Sequence, residues 1–203
     1  MKNLTYSKKQ GILRQKIQVL VMFVALLTTS VVFAADTYTI DPAHTSFGFT
    51  VKHMMISNVP GEFDKFSGQI VYSPTDLAGS SANVSIDVSS INTRIDKRDA
   101  HLKSPDFFDA AQFPAITFVS TIFTPTSITG NLTMKGVTKS VTIPVTISGP
   151  VKTMMGGQAI GITGSVTINR QDYGINWNKV LDQGGVAVSN DVLITISIEA
   201  DQK

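Results

Sequence analysis

One pattern constrains the fold of this chain more than any other: apolar and polar residues alternate, segment after segment. Phe47, Phe49, Val51 and His53 fall on one face of an extended run, with Ser46, Gly48, Thr50 and Lys52 on the other. The same period returns at Ala82, Val84, Ile86 and Val88, at Ile128, Gly130, Leu132 and Met134, and at Val141, Ile143, Val145 and Ile147. Residues 160–168 and 192–198 repeat it twice more. A two-residue period marks strands with one dry face, the usual state of antiparallel sheets. Adding the less regular runs 61–72 and 115–123 predicts eight strands, with 38–40 as a short extra. Phe63 and Phe66, three residues apart, share a pleat face only if the strand is interrupted.

The connections are short and rich in turn residues: YSPTDLAGSS, FTPTS, KGVTK and SGPVKTMMGGQ. Most leave no room for the crossover helix that parallel neighbours need, so the expected sheet is an antiparallel meander. Eight such strands close most naturally into a barrel, because closure removes the exposed edges through which sheets aggregate. The predicted fold class is therefore all-β, a single eight-stranded antiparallel barrel. A barrel of this size either fills its interior with its own side chains or holds one small ligand.

The N-terminus does not belong to this pattern. Lys2, Lys8, Lys9, Arg14 and Lys16 precede an apolar run at residues 17–27, broken only by Gln18, and Val32-Phe33-Ala34 offers small residues where a signal peptidase cuts. The run falls short of the roughly 20 apolar residues of a membrane-spanning helix. Residues 1–34 are expected to be a cleaved signal peptide of bacterial type and residues 35–203 one mature domain, periplasmic or secreted. The leader takes five of 17 basic residues and none of the 15 acidic ones, leaving 12 against 15, a net charge of −3. The whole-chain isoelectric point of about 8.8 therefore makes no case for a nucleic-acid partner. The absence of cysteine excludes disulfides, thiolate metal sites, a cysteine nucleophile and a lipidated N-terminal cysteine.

Two features bear on the interior. Beyond the leader, all nine phenylalanines lie between Phe47 and Phe123, whereas the later strands turn Ile, Val and Gly inward. The wall is expected to be bulky on one side and smooth on the other. Residues 89–114 carry no strand pattern and are long for a barrel connection. Ile91, Ile95 and Leu102 recur at helical spacing with Asp99 on the same stripe, and Ser104-Pro105-Asp106 reads as the start of a second short helix carrying Phe107 and Phe108. This segment is expected to be a helical cover over one mouth of the barrel.

Catalysis has little support. His101 could act as acid or base, oriented by Asp99 or Asp106, but the chain holds no G-x-S-x-G, H-E-x-x-H or Walker glycine loop. His44 and His53 are nine residues apart, so on one regular strand they face opposite ways and cannot chelate one ion. No catalytic residue and no metal is assigned. His53 reads as a polar group at a strand end, hydrogen-bonded or facing a ligand. Arg98 and Asp99 read as a pair that fixes the cover, or as head-group contacts.

Four stretches, YTIDPAHTSFGFTVKHMMISNVPGEFDKFSG, SINTRIDKRDAHLKSPDFFDAAQFPAITFVST, GNLTMKGVTKSVTIPV and NRQDYGINW, resemble in order the signature blocks of the YceI-like family. The resemblance implies a lipocalin-like barrel with a deep apolar cavity for a polyisoprenoid or similar long-chain amphiphile, with no established enzymatic activity and no cofactor besides the bound lipid. It places aromatic wall and cover positions on Phe47, Phe49, Phe63, Phe66, Phe107, Phe108, Phe113 and Phe118, and a polar loop motif on Arg98, Asp99 and His101. Val51, His53, Ile86, Val88 and Leu102 complete the expected cavity set. The expected partner is an isoprenoid lipid of the quinone or polyprenyl phosphate type, bound for transport or storage. Fatty amides, lipophilic antibiotics, an enzyme acting on an isoprenoid lipid, and a filled barrel acting as an interaction module remain alternatives, and a homodimer is compatible with all of them.

Overall fold

The computed structural model describes residues 35–154, 156–182 and 184–202; the expected leader lies outside them. Strands β1 (Asp36–Ile40), β2 (Ser46–His53), β3 (Ser57–Phe63), β4 (Phe66–Tyr72), β5 (Ser81–Asp87) and β6 (Ile91–Asn92) precede helix α1 (Asp96–Lys103). Strands β7 (Ala115–Phe123), β8 (Ser127–Met134), β9 (Val137–Lys152), β10 (Gln158–Asn169) and β11 (Val188–Gln202) follow it. Antiparallel pairing runs β1-β4-β5-β7-β8-β9-β10-β11, and β11 returns to β1 to close an eight-stranded barrel. The remaining three strands are continuations: β1 leads into β2, β3 into β4, and β5 into β6. The fifteen-residue β11 pairs with β2 along its first part and with β1 at its end, so it runs the full height of the wall. The predicted meander of eight staves is what the chain forms.

The bends that split three staves have local causes. Between β1 and β2 stands Pro42, which has no N–H to give the ladder. Asp41 makes the turn by accepting from Ala43 N–H at 2.9 Å, and the Thr45 hydroxyl exchanges hydrogen bonds of 3.1 Å with the Glu199 carbonyl and N–H in place of backbone groups. Between β3 and β4, Asp64 N–H donates to Ser90 O and Lys65 N–H to Ser90 Oγ, which couples this bend to the 3-10 turn Val88–Ser90 between β5 and β6. The interruption also resolves the parity of two phenylalanines, since Phe63 ends β3 and Phe66 opens β4.

Two buried clusters fill the ends of the interior. Tyr38, Ile70, Ile160, Ile162 and Ala200 pack the end where β1 meets β11. Phe63, Val88, Ile91, Ile116, Leu132, Met134 and Tyr173 pack toward the other end, beneath α1. Between the clusters, glycine decides where rings go. Gly61 faces Phe49 in register, and a Cβ there would lie 2.3 Å from Phe49 Cζ; at Gly130 it would lie 2.4 Å from Phe118 Cζ. Each ring reaches into space that a side chain on the glycine would take.

The cover differs from its sequence pattern in two respects. Ile91 is buried in β6 and Ile95, the N-cap of α1, is 52% exposed, so the expected apolar stripe is broken and only Leu102 of it faces the cavity. The second helix does not form: Ser104 is the C-cap of α1, its hydroxyl donating to His101 O at 2.7 Å, and residues 105–108 are turns. The Ser104 hydroxyl is directed back at α1, and no helix follows for it to cap.

Candidate functional site

The barrel encloses a cavity of about 390 Å³. Along β11 its wall is made by Val188, Val192, Ile194, Ile196 and Ile198, the inward parity of the strand. Ten residues of strand span about 33 Å, so the volume is drawn out into a tunnel. The inner end is closed by Ile70, Ala82, Ile128 and Ile162, which belong to the core where β1 meets β11. One side is aromatic, with Phe47, Phe49, Phe63 and Phe118; the facing side is aliphatic, with Ile143, Val145, Val166 and Ile168. The asymmetry expected from the placement of phenylalanine is present.

All polar side chains on the wall gather at the outer end: His53, Thr93, Arg98, His101 and Arg170. Two segments roof this mouth. The first is α1 with the turn after it, which contributes Leu102, Phe107 and Phe108. It is anchored through Thr93, whose N–H and hydroxyl both donate to the buried Asp99 carboxylate, while Arg98 donates to Thr93 Oγ1 at 2.7 Å and to Thr93 O at 2.6 Å. Asp99 and Arg98 thus meet through a shared threonine and not by pairing with each other.

The second roof, residues 174–182 and 184–187, has no counterpart in the sequence reading. Arg170, 4% exposed, holds it from below, donating to Ile175 O at 2.6 Å and to Ser189 O at 2.9 Å. Burial pulls the Arg170 guanidinium below its usual value, and its partners are mainly carbonyl groups. Burial likewise raises the phenol of the adjacent Tyr173. The two roofs meet at Trp177. The His101 ring stands edge-on to both Phe107 and Trp177 at 5.0 Å, and Phe107 lies 5.2 Å from Trp177. His101 Nε2 also pairs with Asp106 at 2.9 Å.

Most of the expected cavity residues line the tunnel: Phe47, Phe49, Val51, His53, Phe63, Ile86, Leu102, Phe107, Phe108 and Phe118, with Arg98 and His101 at the mouth. Four lie off its wall. Phe66 packs edge-to-face on Phe47 at 4.9 Å in the core beside the tunnel; the break at 64–65 keeps it on the inward face, in register with Ile86. Val88 is buried in the 3-10 turn beneath β7, where its N–H donates to Pro114 O. Phe113 sits against Gly136 in the β8–β9 turn. Asp99 is turned toward Thr93. Thr93, Arg170, Ile175 and Trp177 are wall residues that strand parity does not reach; the signal available for the last three was the NRQDYGINW block and the chain's single tryptophan.

His44 lies outside the tunnel. Its ring pairs with Asp41 at 2.5 Å, near Glu199, at the bend between β1 and β2. The hydrogen bond to Asp41 raises the His44 imidazole, and the Ala43 N–H together with His44 lowers Asp41.

Known proteins share this architecture. The YceI-like domain matches residues 38–200. The UPF0312 protein SAB2563 of Staphylococcus aureus is 43% identical over 163 residues, 80% of this chain and 95% of that protein. The crystal structure of BcnA from Burkholderia cenocepacia superposes with a TM-score of 0.69 at 28% identity, over 79% of this chain and 98% of that one. A polyisoprenoid binding domain from Saccharophagus degradans, implicated in plant cell wall breakdown, shares the fold with a TM-score of 0.62 at 17% identity, over 84% of this chain and all of that one. The chain belongs to the YceI-like family.

Proposed function

We propose that this protein is a non-enzymatic carrier that holds the tail of a long-chain isoprenoid lipid, of the quinone or polyprenyl phosphate type, in the barrel with its head group at the roofed mouth. The observation that carries the reading is the distribution of polarity along the tunnel: hydrocarbon wall throughout its depth, and His53, Arg98, His101 and Arg170 only at the opening. Such a wall has nothing to offer a polar ligand and much to offer a linear apolar one. Each buried methylene contributes about 0.8 kcal/mol, so a tail of a few isoprene units offsets the cost of immobilising it. The polyisoprenoid named for the Saccharophagus degradans domain is in keeping with this shape.

The polar groups at the mouth favour binding over turnover. The Thr93 hydroxyl is committed to Asp99 and Arg98, and Asp99 to Thr93, so neither stands ready as nucleophile or base. His101 is held between two rings with Asp106 on its Nε2. We further infer that residues 1–34 are a cleaved leader and that the carrier works outside the cytoplasm, on the strength of the basic start, the short apolar run and Val32-Phe33-Ala34.

Organic extraction of protein purified without detergent, followed by mass spectrometry, tests the reading. An isoprenoid lipid at near one per chain is expected. A chain that carries no lipid, and takes up neither isoprenoid quinone nor polyprenyl phosphate when offered them, refutes it.

A further inference from the structure

Met54 and Met55 are the central residues of the turn joining β2 to β3, and both have positive φ, 50° and 65°. Ile56 N–H donates to His53 O at 3.1 Å and closes the turn after two residues. Two successive left-handed residues are what a type I′ hairpin demands, and Asn-Gly enters it at the least cost. Methionine carries a Cβ that resists this conformation. These side chains are also in solvent: Met54 is 43% exposed, Met55 53% and Ile56 83%. The turn therefore bears a conformational and a solvation cost together, both of which a polar turn would avoid. Residues held against local preference in this way point to a function for the side chains themselves.

A second tip stands beside the first. Val180, 75% exposed, bridges to Val186, and Met54 N–H donates to Ala187 O at 2.9 Å, tying the two tips together. Both rise from the tunnel mouth, since His53, Ala187 and Val188 are wall residues. Exposed Lys52 and Lys179 flank the apolar tips, with Asp182 as the acidic residue of the second tip.

We propose that these two tips dock the mouth onto a lipid bilayer bearing anionic head groups, so that cargo passes between bilayer and tunnel without crossing water. The proposal rests on the lipid-carrier reading of the tunnel. Met, Ile and Val enter the acyl boundary, and the long stems of the two lysines carry their amines back to the phosphates. Four apolar side chains on two narrow tips are too small an area for a stable protein interface, whereas a fluid surface needs no shape complementarity.

The test is the mature chain with Met54→Asn and Met55→Gly, neither of which lines the tunnel. Because Asn-Gly suits the turn, the melting temperature is expected to hold or rise. Flotation with mixed phosphatidylcholine and phosphatidylglycerol vesicles, and uptake of isoprenoid quinone from the same vesicles, should each fall about tenfold. Uptake from detergent micelles should match the parent. A variant that floats and loads from vesicles like the parent overturns the docking surface and leaves the carrier intact. A parent that fails to float overturns it also. A parent that floats, with flotation lost in the variant, supports docking; if that parent takes no quinone from micelles, the carrier reading is what fails.

Discussion

Val166→Phe asks whether the barrel is hollow. Val166 is a half-buried wall residue of β10, paired in register with Ile194 of β11, and its side chain faces the tunnel. Replacing it with phenylalanine adds apolar surface worth roughly two to three methylenes, or about 2 kcal/mol if the ring enters the tunnel. Restricting the ring costs about 0.5–1 kcal/mol, so the lipid-free protein should gain about 1 kcal/mol. In a barrel already filled by its own side chains the same ring would overpack the core at a cost of about 1–3 kcal/mol. The two cases differ in sign. For a domain of this size 1 kcal/mol moves the melting temperature by about 2–4 °C, so thermal unfolding of protein refolded without lipid separates them. Loading should move the opposite way, because the ring occupies part of the 390 Å³. The parent should be stabilised by added isoprenoid quinone and the variant should not. A variant that melts lower than the parent when lipid-free and still retains lipid would refute both the hollow barrel and the use of its tunnel.

Gly61→Ala should drive the Phe49 ring off the wall, since the new Cβ would lie 2.3 Å from Phe49 Cζ and 2.8 Å from Thr93 Cγ2; a loss of about 1–3 kcal/mol together with lost lipid retention is expected, against little change for Gly79→Ala, where only Asp76 is near. A urea midpoint unchanged by Gly61→Ala would show that the ring has room elsewhere. The Asp41–His44 pair should give a pH-dependent difference between the parent and Asp41→Asn. His44 is raised above its ordinary 6.5, so its contribution is complete below that pH and fades as pH rises through the folded value; Asp41 is lowered below 3.8, so its contribution is complete above that pH and fades as pH falls further. The difference in urea midpoint should therefore be largest between about pH 4 and pH 6.5, and a difference that grows in alkali would contradict the pairing.

The strands were readable because each carries its own signal. A run such as Val141 to Ile147 states its parity without reference to any other part of the chain, and the short turns between runs leave antiparallel pairing as the simple outcome. The bends were not readable, because their causes are distant in sequence. Ser90 supplies the acceptors that stop the stave at Asp64 and Lys65, 25 residues away for the lysine contact. The first roof was legible as a cover but not in how it is held: α1 is a polar helix, fixed by Thr93 and Asp99 and not by an apolar stripe, so a search for apolar periodicity credits Ile95 with a role it does not have. The second roof has no period at all, and what holds its start at Ile175 is a buried guanidinium bonded to backbone carbonyls. Carbonyl acceptors belong to every residue type and leave no trace in sequence.

Parity also cannot say whether a barrel is filled or hollow, because inward-facing residues look the same in both. Here the answer lies in pairs across strands. Phe49 stands opposite Gly61, and Phe118 lies over Gly130. An alanine beneath either ring would turn it toward the axis, where aromatic volume fills a small barrel. With glycine beneath, the rings become wall, and the space along the axis stays open to a linear guest. The hollow interior is thus specified by glycine as much as by the aromatic and aliphatic residues that line it, at positions that acquire this meaning only once the register of their neighbours is fixed.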